Sequence, residues 1–141
     1  MKIEVKNVKT HEAMSEETTC FSASIYLEGK RIGVVRNRGC GGPNEYTWTD
    51  NTAGRKVEAW AETQETDYEF EKLDQIIDDL MMKAEEKKQL RRYCKKQTLF
   101  VLAGDQDGSF RTINHPFTSQ VKDFLGRKHG EKLERIVNEE L

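Results

Sequence analysis

A run of apolar residues at helical spacing, between positions 68 and 95, constrains this 141-residue chain most strongly. These residues recur at steps of three and four, the period of one helix face: Phe70, Leu73, Ile76, Ile77, Leu80, Met81, Ala84 and Leu90. At 1.5 Å per residue the predicted helix is about 40 Å long, which is long for a domain of this size. Acidic residues dominate its first half and basic residues its second half, which complements the helix dipole at both ends.

Alternating residues before this helix predict strands. Residues 2–9 alternate between apolar and charged, and residues 20–28 place Phe21, Ala23 and Ile25 on one face. A compact turn leads into residues 31–36, so the two stretches predict a β-hairpin.

A loop and a short helix are expected next. Residues 37–44 contain three glycines and a proline, which excludes regular structure and predicts a shaped loop. Asp50 or Asn51 is a suitable cap for a short amphipathic helix that includes Val57 and Trp60.

The C-terminal third predicts a second hairpin and a last helix. Residues 98–103 and 110–113 are rich in β formers and flank a turn with Asp107-Gly108. Thr118 or Ser119 caps a helical region that runs to Val137, with an interruption at Gly130. The order predicts an α+β fold, an antiparallel sheet built from hairpins with one long helix and further helices packed on one face. We expect a single domain over 1–141, with regions at 1–48, 51–96 and 98–141.

Composition excludes several classes of function. The net charge of -2 argues against general nucleic-acid binding, which depends on a basic surface. No apolar run is long enough for a membrane span, and the first ten residues lack an apolar signal segment. Three cysteines without a CxxC spacing fit a reducing cytoplasm. The polar mean hydropathy favours a thin two-layer fold or a homo-oligomer, a dimer or higher, that shares part of its core.

No residue pattern indicates catalysis, a metal site or a cofactor. His11, His115 and His129 lie in polar segments outside any nucleophile motif. The run from Asp105 to Gly108 resembles the start of a calcium loop, but Asn114 stands where the bidentate Glu is needed, so a hairpin turn explains it better.

The Gly-rich loop is the first candidate binding site. Its glycine N–H groups and flanking donors suit a phosphate, and the candidate ligand-binding residues are Arg36, Asn37, Arg38, Gly41, Gly42 and Asn44. The alternative is a purely structural loop whose glycines supply positive φ angles.

The end of the long helix is the second candidate. An aromatic or guanidinium plane stacks on a purine while nearby cations neutralise phosphates, and the candidates are Arg92, Tyr93, Lys96, Arg111 and Thr112. The alternative is a solvated helix end whose basic residues complement the dipole.

The layout of the chain resembles that of small phage-encoded proteins, and in particular the Thoeris anti-defence family of cyclic ADP-ribose sponges. The resemblance spans the hairpin IYLEGKRIGVVRNRGCGGPNEY, the long helix, and the segment TLFVLAGDQDGSFRTINHPFTSQVKDFLGRKHG. It implies an oligomer that sequesters a cyclic ADP-ribose-type signal, made by a bacterial TIR enzyme, without cleaving it. The candidate site residues come from the residue patterns and not from this resemblance.

A second function remains open at this level. A phage protein of this kind could instead inhibit a host defence complex by direct protein binding or by nucleic-acid mimicry. The acidic first half of the long helix and an exposed Tyr46 or Trp48 would then form the contact surface.

Overall fold

Four antiparallel strands and two helices make up the N-terminal part of the computed structural model, which describes all 141 residues. Contacts within the chain divide it into an N-terminal unit, Met1–Glu85, and a C-terminal unit, Glu86–Leu141, with the boundary inside the long helix. No helix combines the length and apolar content that a membrane crossing requires.

The strands and helices confirm the predicted α+β class with its long helix. The strands are β1 Ile3–Thr10, β2 Phe21–Leu27, β3 Lys30–Asn37, β4 Glu45–Trp48, β5 Thr98–Leu102, β6 Arg111–Ile113 and β7 Leu133–Ile136. The helices are α1 Asn51–Glu62, α2 Lys72–Cys94 and α3 Ser119–His129.

The sheet of the N-terminal unit is a meander in the order β1-β2-β3-β4. Glu28 and Gly29 have positive φ angles of 50° and 83° in the turn between β2 and β3, as the tightest hairpin turns require. Alternate residues of β2, namely Phe21, Ala23 and Ile25, are buried together with Val57 of α1 and the α2 residues Ile77 and Met81. Both helices therefore cover one face of the sheet.

Trp48 is wedged between two glycines rather than exposed. Its ring lies against Gly33 of β3 and Gly54 of α1, and its Nε1–H donates to Glu58 Oε1 (3.1 Å). Tyr46 stacks on it with ring centroids 5.5 Å apart. Since both aromatic residues are partly buried and pack against the core of this unit, the prediction that they are exposed is wrong.

The C-terminal unit has a three-stranded antiparallel sheet in the order β6-β5-β7, with α3 packed against it. All five residues of β5 are buried. The core of the C-terminal unit consists of Phe100, Leu102, Leu125 and Ile136. The predicted hairpin of β5 and β6 is confirmed by the register, in which Leu99 is opposite Thr112.

The predicted helix up to Val137 is wrong beyond His129. Gly130 has a φ of 54°, which ends α3, and the chain returns as β7 along the free edge of β5. Leu133 and Ile136 lie three residues apart, as on a helix, but an irregularity in the pairing at Val101 and Leu102 lets both contact the same core.

Two glycine substitutions test the packing around Trp48. A Cβ on Gly54 would lie 2.5 Å from the Trp48 ring, so Gly54→Ala should lower the free energy of unfolding by about 1–3 kcal/mol through overpacking. Gly126 of α3 has no neighbour within 4 Å of the same position, so Gly126→Ala should raise it by up to about 1 kcal/mol. Urea unfolding followed by circular dichroism measures the free energy of unfolding of both variants. Equal stability of Gly54→Ala and Gly126→Ala would contradict the tight packing of Trp48 against Gly54.

Candidate functional site

The Gly-rich loop is organised by the buried side chain of Asn37, the last residue of β3. Its Oδ1 accepts hydrogen bonds from the Thr18 hydroxyl (2.7 Å) and the Gly39 N–H (2.8 Å). Its Nδ2 donates to the Gly42 carbonyl (3.1 Å) and to Asn44 Oδ1 (3.0 Å). One amide side chain therefore satisfies polar groups at the start, middle and end of the loop.

The N–H groups of two loop glycines, Gly39 and Gly41, already have partners inside the protein. The Gly39 N–H binds Asn37, and the Gly41 N–H donates to the Thr18 hydroxyl (3.3 Å). Gly39 and Gly41 have φ angles of 82° and 90°, and a Cβ on Gly39 would lie 2.5 Å from the Met14 carbonyl oxygen. These contacts favour the structural-loop alternative, because Gly39 and Gly41 each meet a backbone requirement, whereas Gly42 has no positive φ angle and open space at its Cβ position.

The two arginines beside the loop share one carboxylate. Arg36 Nε donates to Glu45 Oε2 (2.7 Å), and Arg38 Nε lies 3.4 Å from Glu45 Oε1. The hydrogen bond from Arg36 is the main reason that the pKa of Glu45 is lowered. A phosphate at this point would have to compete with a carboxylate that the arginines already hold.

Acidic side chains line the cavity of about 310 Å³ beside the loop. Asp74 accepts hydrogen bonds from the Tyr46 hydroxyl (2.6 Å) and the Asn44 N–H (3.0 Å), and Asp78 accepts one from Asn44 Nδ2 (2.9 Å). Burial raises the pKa of Tyr46, and the hydrogen bond to Asp74 raises it further. Glu71 lies on the same cavity wall. This concentration of carboxylates disfavours an anionic ligand.

The second candidate set lies at a cavity of about 550 Å³ in the C-terminal unit. The residues that line it are Glu86, Gln89, Leu90, Tyr93, Gln97, Leu99, Gly108, Phe110 and Thr112. Among the predicted residues, Tyr93 and Thr112 are in this lining. The loop residues belong to the other unit.

Arg111 is occupied by the turn of the β5–β6 hairpin. Its Nε and Nη2 each donate to the Asp105 carboxylate at 3.0 Å, and Asp105 Oδ2 also accepts from the Leu102 N–H. The bond from Arg111 is the main reason that the pKa of Asp105 is lowered. Arg111 thus braces the hairpin that carries Phe110 and Thr112.

Arg92 and Lys96 are exposed at the end of α2 and form no ion pair with any carboxylate. They flank Tyr93 in the sequence but do not line the cavity. Their charges are therefore not committed to a carboxylate of this chain.

The cavity walls are held by Asn138, which follows β7. Its Oδ1 accepts from the Leu99 N–H (2.9 Å), and its Nδ2 donates to the Gln97 carbonyl (2.9 Å). The Arg135 guanidinium lies 5.9 Å from the centre of the Phe110 ring. The backbone groups of Leu99 and Gln97 are thus hydrogen-bonded to Asn138, and the ring of Phe110 lies near the Arg135 guanidinium.

Sequence reasoning missed most of the cavity lining. Glu86, Gln89 or Leu90, and Tyr93 follow one another at steps of three and four on one face of α2, and Gln97 lies between the end of α2 and β5. That spacing was visible in the sequence. Phe110 was not singled out because its position opposite this face depends on how the hairpin folds back.

The His, Cys, Asp and Glu side chains nowhere form a group of three or more suited to hold a metal ion. Comparisons with protein-family models, with curated proteins and with solved structures gave no match.

Replacing Asn37 tests the role of the loop. Asn37→Ala should lower the free energy of unfolding by about 2–4 kcal/mol, because several buried partners lose their hydrogen bonds. Arg38→Ala, at an exposed ion pair, should change it by less than about 0.5 kcal/mol. Chemical denaturation of both variants measures the difference. Stabilisation of the protein by millimolar inorganic phosphate that disappears in Arg38→Ala would instead indicate an anion site at the loop.

Proposed function

We propose that this chain is a non-catalytic binding protein that captures a phosphorylated purine compound in the cavity of its C-terminal unit. The observation that carries the proposal is a cavity of about 550 Å³ in which two aromatic rings, Tyr93 and Phe110, accompany the amides of Gln89 and Gln97. A volume of this size is typical of small-molecule sites, which combine apolar walls with a few polar groups.

Each part of such a ligand has a counterpart near the cavity. A purine ring stacks on Tyr93 or Phe110, while the amides of Gln89 and Gln97 offer donors and acceptors to its edge. Glu86 is suited to accept from an amino group or a ribose hydroxyl. The unpaired cations Arg92 and Lys96 beside Tyr93 are suited to phosphates.

The composition of the lining supports binding without cleavage. Glu86 is its single carboxylate, and the hydroxyl groups in the lining, those of Tyr93 and Thr112, form no hydrogen bond with it. A nucleophile that is paired with a base is therefore missing from the lining. A protein that holds its ligand intact needs affinity and not transition-state stabilisation.

The resemblance to cyclic ADP-ribose sponges supplies the biological context of the proposal. In that context the protein acts in the cytoplasm of a bacterial host, as a homo-oligomer without a cofactor, and lowers the free concentration of a cyclic nucleotide signal. Cyclic ADP-ribose carries an adenine and a pyrophosphate, which are the two groups the Tyr93 region suits. It is therefore the first compound to test.

Binding and recovery of cyclic ADP-ribose test this function. Isothermal titration should give a saturable heat, and mass spectrometry after heat denaturation should return the compound with unchanged mass. Tyr93→Ala should weaken binding about 10- to 100-fold, because stacking on one aromatic residue contributes about 1–3 kcal/mol. Arg92→Ala combined with Lys96→Ala should weaken binding of the phosphorylated compound but not of adenosine.

Phe124→Ala is the matched control, because Phe124 is an exposed aromatic residue of the same unit that does not line the cavity. It should bind as the unaltered protein does. A hydrolysed product would eliminate sequestration. Equal affinities of the Tyr93→Ala and Phe124→Ala variants would eliminate the cavity as the site.

A further inference from the structure

Two exposed aromatic rings lie side by side in the segment between α1 and α2. Phe70 is the most exposed large apolar side chain of the chain, at 66%, and Tyr68 is 61% exposed. Their ring centroids are 5.7 Å apart with an angle of 29° between the planes. Neither ring belongs to the core of the N-terminal unit. Paired exposed aromatic residues are typical anchors of protein interfaces.

The backbone beneath the rings is held in place by the first turns of α2. Gln75 Nε2 donates to the Tyr68 carbonyl (3.1 Å) and to the Phe70 carbonyl (2.9 Å), and Gln75 Oε1 accepts from the Tyr68 N–H (3.2 Å). Lys72 Nζ donates to the Gln64 carbonyl (2.8 Å). The segment is thus ordered before it meets a partner, which lowers the entropic cost of association.

The charged side chains of the segment itself have one sign. Positions 62–71 carry five carboxylates and no basic residue: Glu62, Glu65, Asp67, Glu69 and Glu71. None of the five takes part in an ion pair, and the nearest cation along the chain, Lys72, is bound to backbone carbonyls. The net charge of the whole chain is only -2, so this segment concentrates negative potential.

We propose that this aromatic-acidic segment, residues 62–71, docks an arginine-bearing segment of a partner protein. A guanidinium group is planar, stacks on aromatic faces and bonds two carboxylate oxygens at once, so it matches both features of the surface. A lysine ammonium offers the charge without the planar match. The surface lies in the other unit from the purine cavity, and this inference does not depend on that proposed function.

Fluorescence anisotropy with a defined probe tests the inference. The probe is a labelled nine-residue peptide of alternating arginine and glycine, compared with its lysine counterpart, at 50 mM salt. We expect the arginine peptide to bind at least threefold more tightly than the lysine peptide. Tyr68→Ser combined with Phe70→Ser should weaken its binding at least tenfold, whereas Phe124→Ser, the exposed aromatic control in the other unit, should not.

Two further variants separate the contributions. Glu65→Gln with Asp67→Asn and Glu69→Gln should weaken peptide binding and remove most of its salt dependence. Gln75→Ala keeps both aromatic side chains but removes the hydrogen bonds that hold the backbone of Tyr68 and Phe70. It should therefore weaken peptide binding severalfold. These variants alter exposed or surface groups, and thermal unfolding checks that each one is folded.

Three results would overturn the inference. The first is equal binding of the arginine peptide by the unaltered protein and the Tyr68→Ser, Phe70→Ser variant. The second is equal affinity for the arginine and lysine peptides, which would indicate general attraction to acidic groups. The third is a dimer in sedimentation that this double variant dissociates, because a second copy of the chain would then occupy the rings.

Discussion

The side chain of Asn37 hydrogen-bonds four polar groups at buried or partly buried positions, and the Gly-rich loop of the N-terminal unit depends on it. Through Thr18 and Gly39 it ties the segment before β2 to the Gly-rich loop, and through Asn44 it reaches the carboxylate of Asp78 on α2. A buried polar group without a partner costs more than the hydrogen bond itself contributes, so this network leaves the loop little choice of conformation.

Internal hydrogen bonding also decides whether the Gly-rich loop or the end of the long helix remains a candidate binding site. The glycine loop uses the N–H groups of Gly39 and Gly41 internally and lies beside Asp74 and Asp78. In the C-terminal unit Asn138 plays the comparable structural role, but it sits behind the cavity wall and binds backbone groups of Leu99 and Gln97. The side chains of Tyr93 and Phe110 are therefore left to line an open space. A ligand site requires such unused surface in addition to suitable residue types.

Much of the fold was predictable because the spacing of apolar residues within each strand or helix is a local property of the sequence. The alternation in β2 and the three-to-four spacing in α2 each depend on neighbours within a few residues. The β7 strand was not predictable, because Leu133 and Ile136 are spaced as on a helix and only the open edge of β5 makes them a strand. The short edge strand β4 was also missed, since its pattern is brief and the packing of Trp48 on Gly33 and Gly54 depends on distant parts of the chain.

The sequence by itself determined the α+β class, the hairpins β2–β3 and β5–β6, the long helix and the residue types suited to a nucleotide, because those properties follow from local spacing and side-chain chemistry. Only the tertiary structure decided which donors are free. The sequence does not distinguish paired from unpaired cations. In the structure a carboxylate binds each of Arg36, Arg38 and Arg111, whereas Arg92 and Lys96 form no ion pair. The reason is physical: hydrogen bonds and ion pairs form between groups distant in sequence, and a group already paired in the fold has little left to offer a ligand.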